Sequence, residues 1–178
     1  MKNIIKDISI IHNHFESLII KNKIKCEYNN YLLNTKISIY SQHLKAKHLN
    51  IKQEILETIN QNDILIAKFK NLQLLHSPTE IVDEFMCLIK LINTNHDTLL
   101  NILVYIIIKS NIRDLNSLLN FIMMYRRKIR IKCDHVVHID DGEVDYYLKV
   151  FKISLLFIER MEFYDLNISK KEYDNLIK

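Results

Sequence analysis

One glycine in 178 residues is the strongest constraint on what this chain can fold into. Glycine supplies the positive φ angles that tight hairpins, phosphate-cradling loops and dinucleotide-binding turns depend on. A single copy excludes β-sandwiches, β-barrels and βαβ architectures. It also excludes the P-loop and the Gly-x-Gly-x-x-Gly fingerprint, each of which needs at least two. Proline is equally scarce, with one copy. The chain is 48% hydrophobic and 26% charged, a balance that supports a packed core rather than disorder. Its length suits one domain. The expected class is therefore all-α, a single helical domain over residues 1–178.

Cysteine usage and the chain start bear on compartment. Cys26, Cys87 and Cys133 are odd in number, far apart and never paired as Cys-x-x-Cys. That pattern predicts reduced, buried thiols rather than a disulfide framework. The opening Met-Lys-Asn-Ile-Ile-Lys-Asp carries charge and no small-residue cleavage site, so it does not read as a secretory signal. The longest apolar run, Leu99 to Ile108, is broken by Asn101 and is about half the roughly 20 residues a bilayer span requires.

Apolar periodicity then places the elements. Ile4, Ile5, Ile8, Ile11, Phe15, Leu18 and Ile19 recur at helical spacing over residues 1–24. Helical patterns continue over Tyr31–Leu49 and Ile51–Leu75, with a break at Asn60–Asp63, where short polar side chains favour caps and turns. Ser77, Pro78 and Glu80 form an N-terminal signature, predicting a helix from Pro78 to about Ile92. Thr98–Ser110 is apolar on nearly every side, the mark of a helix in the middle of a fold. Asp114 is a candidate cap for a helix over Leu115–Met124. Tyr125–Asp141 lacks regular periodicity, and the sole glycine, Gly142, marks a turn of special backbone geometry after it. Leu148, Phe151, Leu155, Ile158 and Met161 define a long amphipathic helix from Val144, and Ser169–Ile177 a short last one. The organisation is N-terminal helices over 1–75, a core over 76–162 and a C-terminal helix over 163–178.

Three constellations carry chemical residue types. Cys133-Asp134-His135-x-x-His138, followed by Asp140, Asp141 and Glu143, holds metal-ligand types but matches no closed zinc spacing, so no metal is assigned. The run Arg126, Arg127, Lys128, Arg130, Lys132 could meet phosphates of RNA or anionic lipid. It lacks an aromatic stacking platform, and with a net charge of +4 it reads as a solvated helix end, with membrane-surface attraction as a minor role and no nucleic-acid partner. No Gly-x-Ser-x-Gly elbow exists, so covalent enzyme chemistry is not indicated, and no cofactor is expected. The third constellation pairs Asp97, at the entry of the most apolar helix, with Tyr146 and Tyr147, which open the last long one. Taken alone, Asp97 is an N-cap and the tyrosines are rim-of-core aromatics with wet hydroxyls.

The order of these segments resembles a known family. His96-Asp-Thr-Leu-Leu-Asn-Ile-Leu-Val-Tyr-Ile-Ile-Ile-Lys-Ser-Asn111 is similar to the signature of the vacuolar-protein-sorting-nine domain, where Asp-x-Leu-Leu-Pro-Val-Leu runs into Lys-Ala-Asn. Asp114-Leu-Asn-Ser-Leu-Leu-Asn-Phe-Ile122, Gly142-Glu-x-x-Tyr-Tyr147 and Phe157-Ile-Glu159 resemble its following motifs, and Ser77-Pro78 stands where that family opens its core. The resemblance covers residues 76–162. It implies an all-helical layered fold and guanine-nucleotide exchange on Rab-five-type GTPases, by a cytoplasmic protein peripheral to endosomal membranes. It further implies that Asp97 reaches the GTPase nucleotide site as an acidic finger and that Tyr146 supports it. Asn101, Asn111, Tyr147 and Lys149 are the matching GTPase-facing positions. Asn101 stands where the family has proline, and Lys149 where it has a threonine-like residue. Those two departures open the alternative of a Rab-binding module without exchange activity.

Overall fold

The computed structural model describes residues 27–52, 54–55, 57, 63–92, 96–126, 129–132, 135–138 and 142–176. For Asp63, His96, Asp97, Leu176 and the residues of the two strands, only the backbone is described. Among these, helix α1 covers residues 27–43 and a 3₁₀ turn Ala46–Leu49. Helix α2 spans Asp63–Asn71 and passes into a second 3₁₀ turn, Leu72–Leu74. Then come α3 (Pro78–Ile92), α4 (His96–Ser110), α5 (Leu115–Tyr125), a ribbon of β1 (Ile129–Lys132) and β2 (His135–His138), α6 (Gly142–Arg160), a 3₁₀ turn Phe163–Asp165 and α7 (Lys170–Leu176). The amphipathic pattern of residues 1–24 and the polar break at residues 60–62 lie outside the described residues.

The core is organised around α4. Ile102, Leu103, Val104, Ile106, Ile107 and Ile108 are all fully buried, so the helix is enclosed on every side along its middle, as its all-round hydrophobicity requires. Each such side chain contributes about 1.5–3 kcal/mol on burial. Helices α2 and α6 pack against α4, and α3 packs against α2, α5 and α6. Phe151 of α6 is the meeting point: it stacks on Phe85 of α3 at 5.1 Å and takes the edge of Phe69 of α2 at 5.8 Å. Lys68 of α2 bonds Glu84 of α3 at 2.8 Å on the outer surface.

Side-chain bonds set the direction of the helices. Asn116 donates to Glu159 at 2.8 Å, and Arg126 pairs with Asp145, so α5 and α6 run antiparallel. At the end of α4, Lys109 donates to the carbonyl of Ser41 (2.9 Å). Just past the end of α6, the Met161 carbonyl accepts from Tyr40 at 3.3 Å and Lys36 at 3.1 Å. The C-terminal ends of α4 and α6 therefore meet one stretch of α1. These two helices also pack against each other, so both run from the opposite side of the bundle toward α1.

Several sequence expectations need correction. The segment 125–141 is not merely irregular: it carries the antiparallel ribbon, in register Ile129↔His138, Arg130↔Val137, Ile131↔Val136 and Lys132↔His135. Ile129-Arg130-Ile131-Lys132 alternates as such a pleat does and the paired Val136 and Val137 favour strand, but the interleaved cations hide the short period. Gly142 has no positive φ; it is simply the first residue of α6. The left-handed positions are Asn50 (φ 55°), Asn111 (φ 50°) and Asp114 (φ 59°). Asn and Asp tolerate that region through local hydrogen bonding, which is how a chain with one glycine closes its helix ends. Asp114 occupies the N-cap position of α5 but makes no side-chain cap bond. Its carboxylate instead accepts from Asn34 Nδ2 (3.2 Å), while its N–H donates to Asn34 Oδ1 (3.1 Å), tying α5 to α1. Cys87 is exposed rather than buried.

Candidate functional site

The first turns of α4 and α6 bring the key sequence positions to one end. Helix α4 begins at His96, two residues earlier than its periodicity predicts, so Asp97 lies within the first turn and not ahead of it as an N-cap. Asn101 follows at i+4, on the same side of the helix, and is half-buried. On α6, Tyr146 is 41% exposed while Tyr147 is half-buried against the core. The two rings meet edge to face at 5.1 Å and 73°, so the buried ring backs the exposed one. Lys149 is exposed three residues after Tyr146.

Asn111 stands apart from this group. It follows Ser110 at the far end of α4, about 21 Å along the axis from the first turn at 1.5 Å per residue. There its left-handed backbone ends the helix, with its N–H on the Ile108 carbonyl at 3.2 Å. Its placement gives it a structural duty that sequence matching alone does not reveal.

Two features of this end were not read from the sequence. Helix α6 carries a second apolar series outside its buried stripe: Tyr146, Ile153 and Leu156 are exposed, with Lys149 between them. The spacing of three and seven was present in the sequence, but the buried series Leu148, Phe151, Leu155, Ile158 dominated it. Arg126 is the other. Its run reads as a solvated helix end, yet the structure buries Arg126 and pairs it with Asp145 in the first turn of α6. A helix-ending arginine 19 residues before an acidic first turn offers no periodic signal.

Of the metal-ligand constellation, only Glu143, on α6, and the backbones of His135 and His138, on β2, are described. Cys133, Asp134, Asp140 and Asp141 lie outside the described residues. Among the described residues no group of three His, Cys, Asp or Glu side chains converges, and no helix is long and apolar enough to cross a membrane.

With the geometry in place, comparison with known families is decisive. The model of the vacuolar sorting protein 9 (VPS9) domain matches residues 49–163, well over half the chain. The chain belongs to the VPS9-domain family. The VPS9 match starts at Leu49, the last residue of the first 3₁₀ turn, so the domain takes in α2, beyond the 76–162 core that the motifs alone outline. VPS9 domains are helical bundles that promote guanine-nucleotide exchange on Rab-type small GTPases, and that general activity and partner class come with membership. No curated protein matches the chain.

The electrostatics of the two ends differ. At the far end, burial pushes the Tyr40 hydroxyl well above its usual range, and Tyr40, donating to Met161, accepts from Tyr173 at 3.0 Å. Burial lowers Lys109 below the ordinary lysine value, and its ammonium lies 5.9 Å over the Tyr105 ring. His48 is lowered first by burial and then by Lys47 and Lys45.

Proposed function

We propose that this VPS9 domain accelerates GDP release from a Rab-five-type GTPase at endosomal membranes, with Asp97 as the acidic finger and Tyr146 as its supporting contact. What supports this reading is that α4 and α6 pack together with their C-terminal ends on α1, so that both run from the same side, and that α6 carries the exposed Tyr146, Ile153 and Leu156. An exposed tyrosine backed by a second ring, with Ile153 and Leu156 further along the same helix, suits a protein partner more than solvent. The protein works from the cytoplasm and reaches the membrane peripherally, through its partner or other proteins.

The chemistry is electrostatic. A GTPase holds its nucleotide through a P-loop lysine and a Mg²⁺ bridging phosphate oxygens. A carboxylate brought to that site competes for the lysine, repels the phosphates and disfavours the metal. Opposite charges about 4 Å apart interact by roughly 4 kcal/mol at an effective dielectric near 20. Each 1.36 kcal/mol corresponds to about tenfold in rate, so one carboxylate accounts for about a hundred- to thousandfold faster release. A carboxylate at a helix start also sits where the helix field favours negative charge. The enclosed middle of α4 seats the helix that carries Asp97 firmly in the core, and preorganised electrostatics depends on such a fixed scaffold. No bond is made or broken, so neither a nucleophile nor a cofactor is called for.

The test is release of fluorescent GDP from a panel of Rab GTPases. Wild-type protein accelerates release from a Rab-five-type member, and Asp97→Asn, which keeps size and removes charge, loses about a hundredfold or more. Equal rates for the two proteins refute the acidic finger. The departures at Asn101 and Lys149 motivate the second reading, a binding module without exchange; it predicts a stable complex in which nucleotide release is unchanged.

A further inference from the structure

The first turn of a helix is its weakest part, because its N–H groups lack acceptors within the helix. Helix α6 opens on Gly142, a residue poorly suited to holding helical backbone, and Tyr146 sits one turn in. Rigid presentation of Tyr146 thus needs support from outside α6. Helix α5 supplies it. Lying antiparallel, it is tied to α6 near one end by Asn116 and Glu159 and at the other by Arg126 and Asp145.

Among the described residues, the Arg126 side chain is committed to Asp145. It follows the last residue of α5, its N–H bonded to the Ile122 carbonyl at 2.9 Å, and its side chain is 5% exposed. Through Nη2 the guanidinium donates to Asp145 Oδ1. Its Nε is buried without a hydrogen-bond partner. A desolvated guanidinium with an unsatisfied N–H is costly, and an apolar side chain of similar length would serve stability at least as well. What the arginine adds is a directional hold on the residue directly before Tyr146.

We propose that Arg126 is a positioning residue for nucleotide exchange, acting through Asp145 to fix the first turn of α6 and so the Tyr146 ring against Tyr147. This inference rests on the exchange reading above.

The test combines hydrogen exchange on the free protein with GDP-release kinetics for Arg126→Met, Arg126→Lys, Asp145→Asn and the double variant Arg126→Met/Asp145→Asn. Arg126→Met is expected to speed amide exchange over residues 143–147 while leaving the middle of α4 protected. It lowers kcat about ten- to hundredfold, with a smaller change in KM, as displacement of a contacting group does. Arg126→Lys, which keeps the charge but not the fork, recovers part of the loss. The double variant is no worse than Arg126→Met, because both act through one contact. Additive losses, or unchanged protection over 143–147, overturn the inference. A wild-type protein inert on the whole GTPase panel overturns the exchange reading and this role with it. An active wild type with a fully active Arg126→Met overturns the Arg126 role alone.

Discussion

The two ends of the bundle are built on different principles. At the far end, α1 is bonded into almost everything it meets. Tyr40 and Lys36 hold the Met161 carbonyl, Lys109 holds Ser41, Asn34 and Asp114 exchange two bonds, and Asn30 reaches Ser117 and Asn116. The Asn167 N–H adds a bond to the His48 carbonyl (2.8 Å), bringing the C-terminal segment into the same cluster. At the near end, the Arg126–Asp145 ion pair secures α6, while Met124, Tyr125 and Tyr146 stay exposed. The contrast teaches a division of labour. The far end spends its polar groups on several internal ties, whereas among the described residues the near end of α6 is held by one ion pair beside the exposed Tyr146.

That division predicts that substitutions at the two ends separate activity from stability. The largest effect is expected for Asp97→Asn, which should lower GDP release about a hundredfold or more while leaving the thermal midpoint where it is. A comparable drop in midpoint would show that Asp97 is a structural group and would erase the distinction. Next is Tyr40→Phe at the far end. It deletes the hydroxyl shared by Met161 and Tyr173; the Met161 carbonyl keeps Lys36, but the buried Tyr173 hydroxyl loses this partner, so denaturant unfolding should report a loss of about 1–3 kcal/mol. Exchange activity should not change; if it does, the far end is not merely an anchor.

How much of this was legible beforehand depends on the kind of signal. The enclosed helix α4 could be read because burial on all sides leaves an unbroken apolar pattern, and α3 because Pro78 fixes its start to the residue. Asp97 and Tyr146 could be picked out by motif, yet their shared end depends on helix direction, which is set by Asn116, Glu159, Lys109 and Ser41 across long sequence separations. Burial of Arg126 is hidden in the sequence for the same reason: it depends on where a carboxylate 19 residues away arrives. The ribbon was missed because its pleat alternates cations with isoleucines, a pattern that reads equally as a polar helix end.

Asn111 tests the boundary between the two ends more finely. Its left-handed backbone disfavours a Cβ without a local hydrogen-bonding side chain, whereas glycine accepts it freely. Asn111→Ala should therefore cost about 1 kcal/mol in unfolding free energy, and Asn111→Gly should cost less, with normal GDP release in both. Loss of exchange in a stable Asn111→Gly protein would place this residue against the GTPase and extend the working surface along the whole of α4.

The smallest expected effect is a pH dependence seated at the anchored end. His48 is buried, its Nδ1 accepts from the Lys45 N–H at 3.2 Å, and burial with Lys47, Lys45 and Lys109 nearby lowers its proton affinity against a weaker opposing pull from Glu172. The unfolded chain takes up this proton near pH 6.5, while the folded protein resists it. Stability from this group is therefore intact above pH 6.5 and declines as pH falls below it, because the unfolded state then binds more protons. Glu172 has the carboxylate version of the same sign. Its bonds from the Ser169 N–H and hydroxyl lower it below 4.5, so its contribution is lost only at still lower pH. Thermal midpoints should thus fall in two separate windows, and His48→Asn, which can still accept the Lys45 bond, should flatten the upper one alone. An upper window that persists in His48→Asn would assign the titration to another group and leave the anchored end insensitive to pH above the carboxylate range.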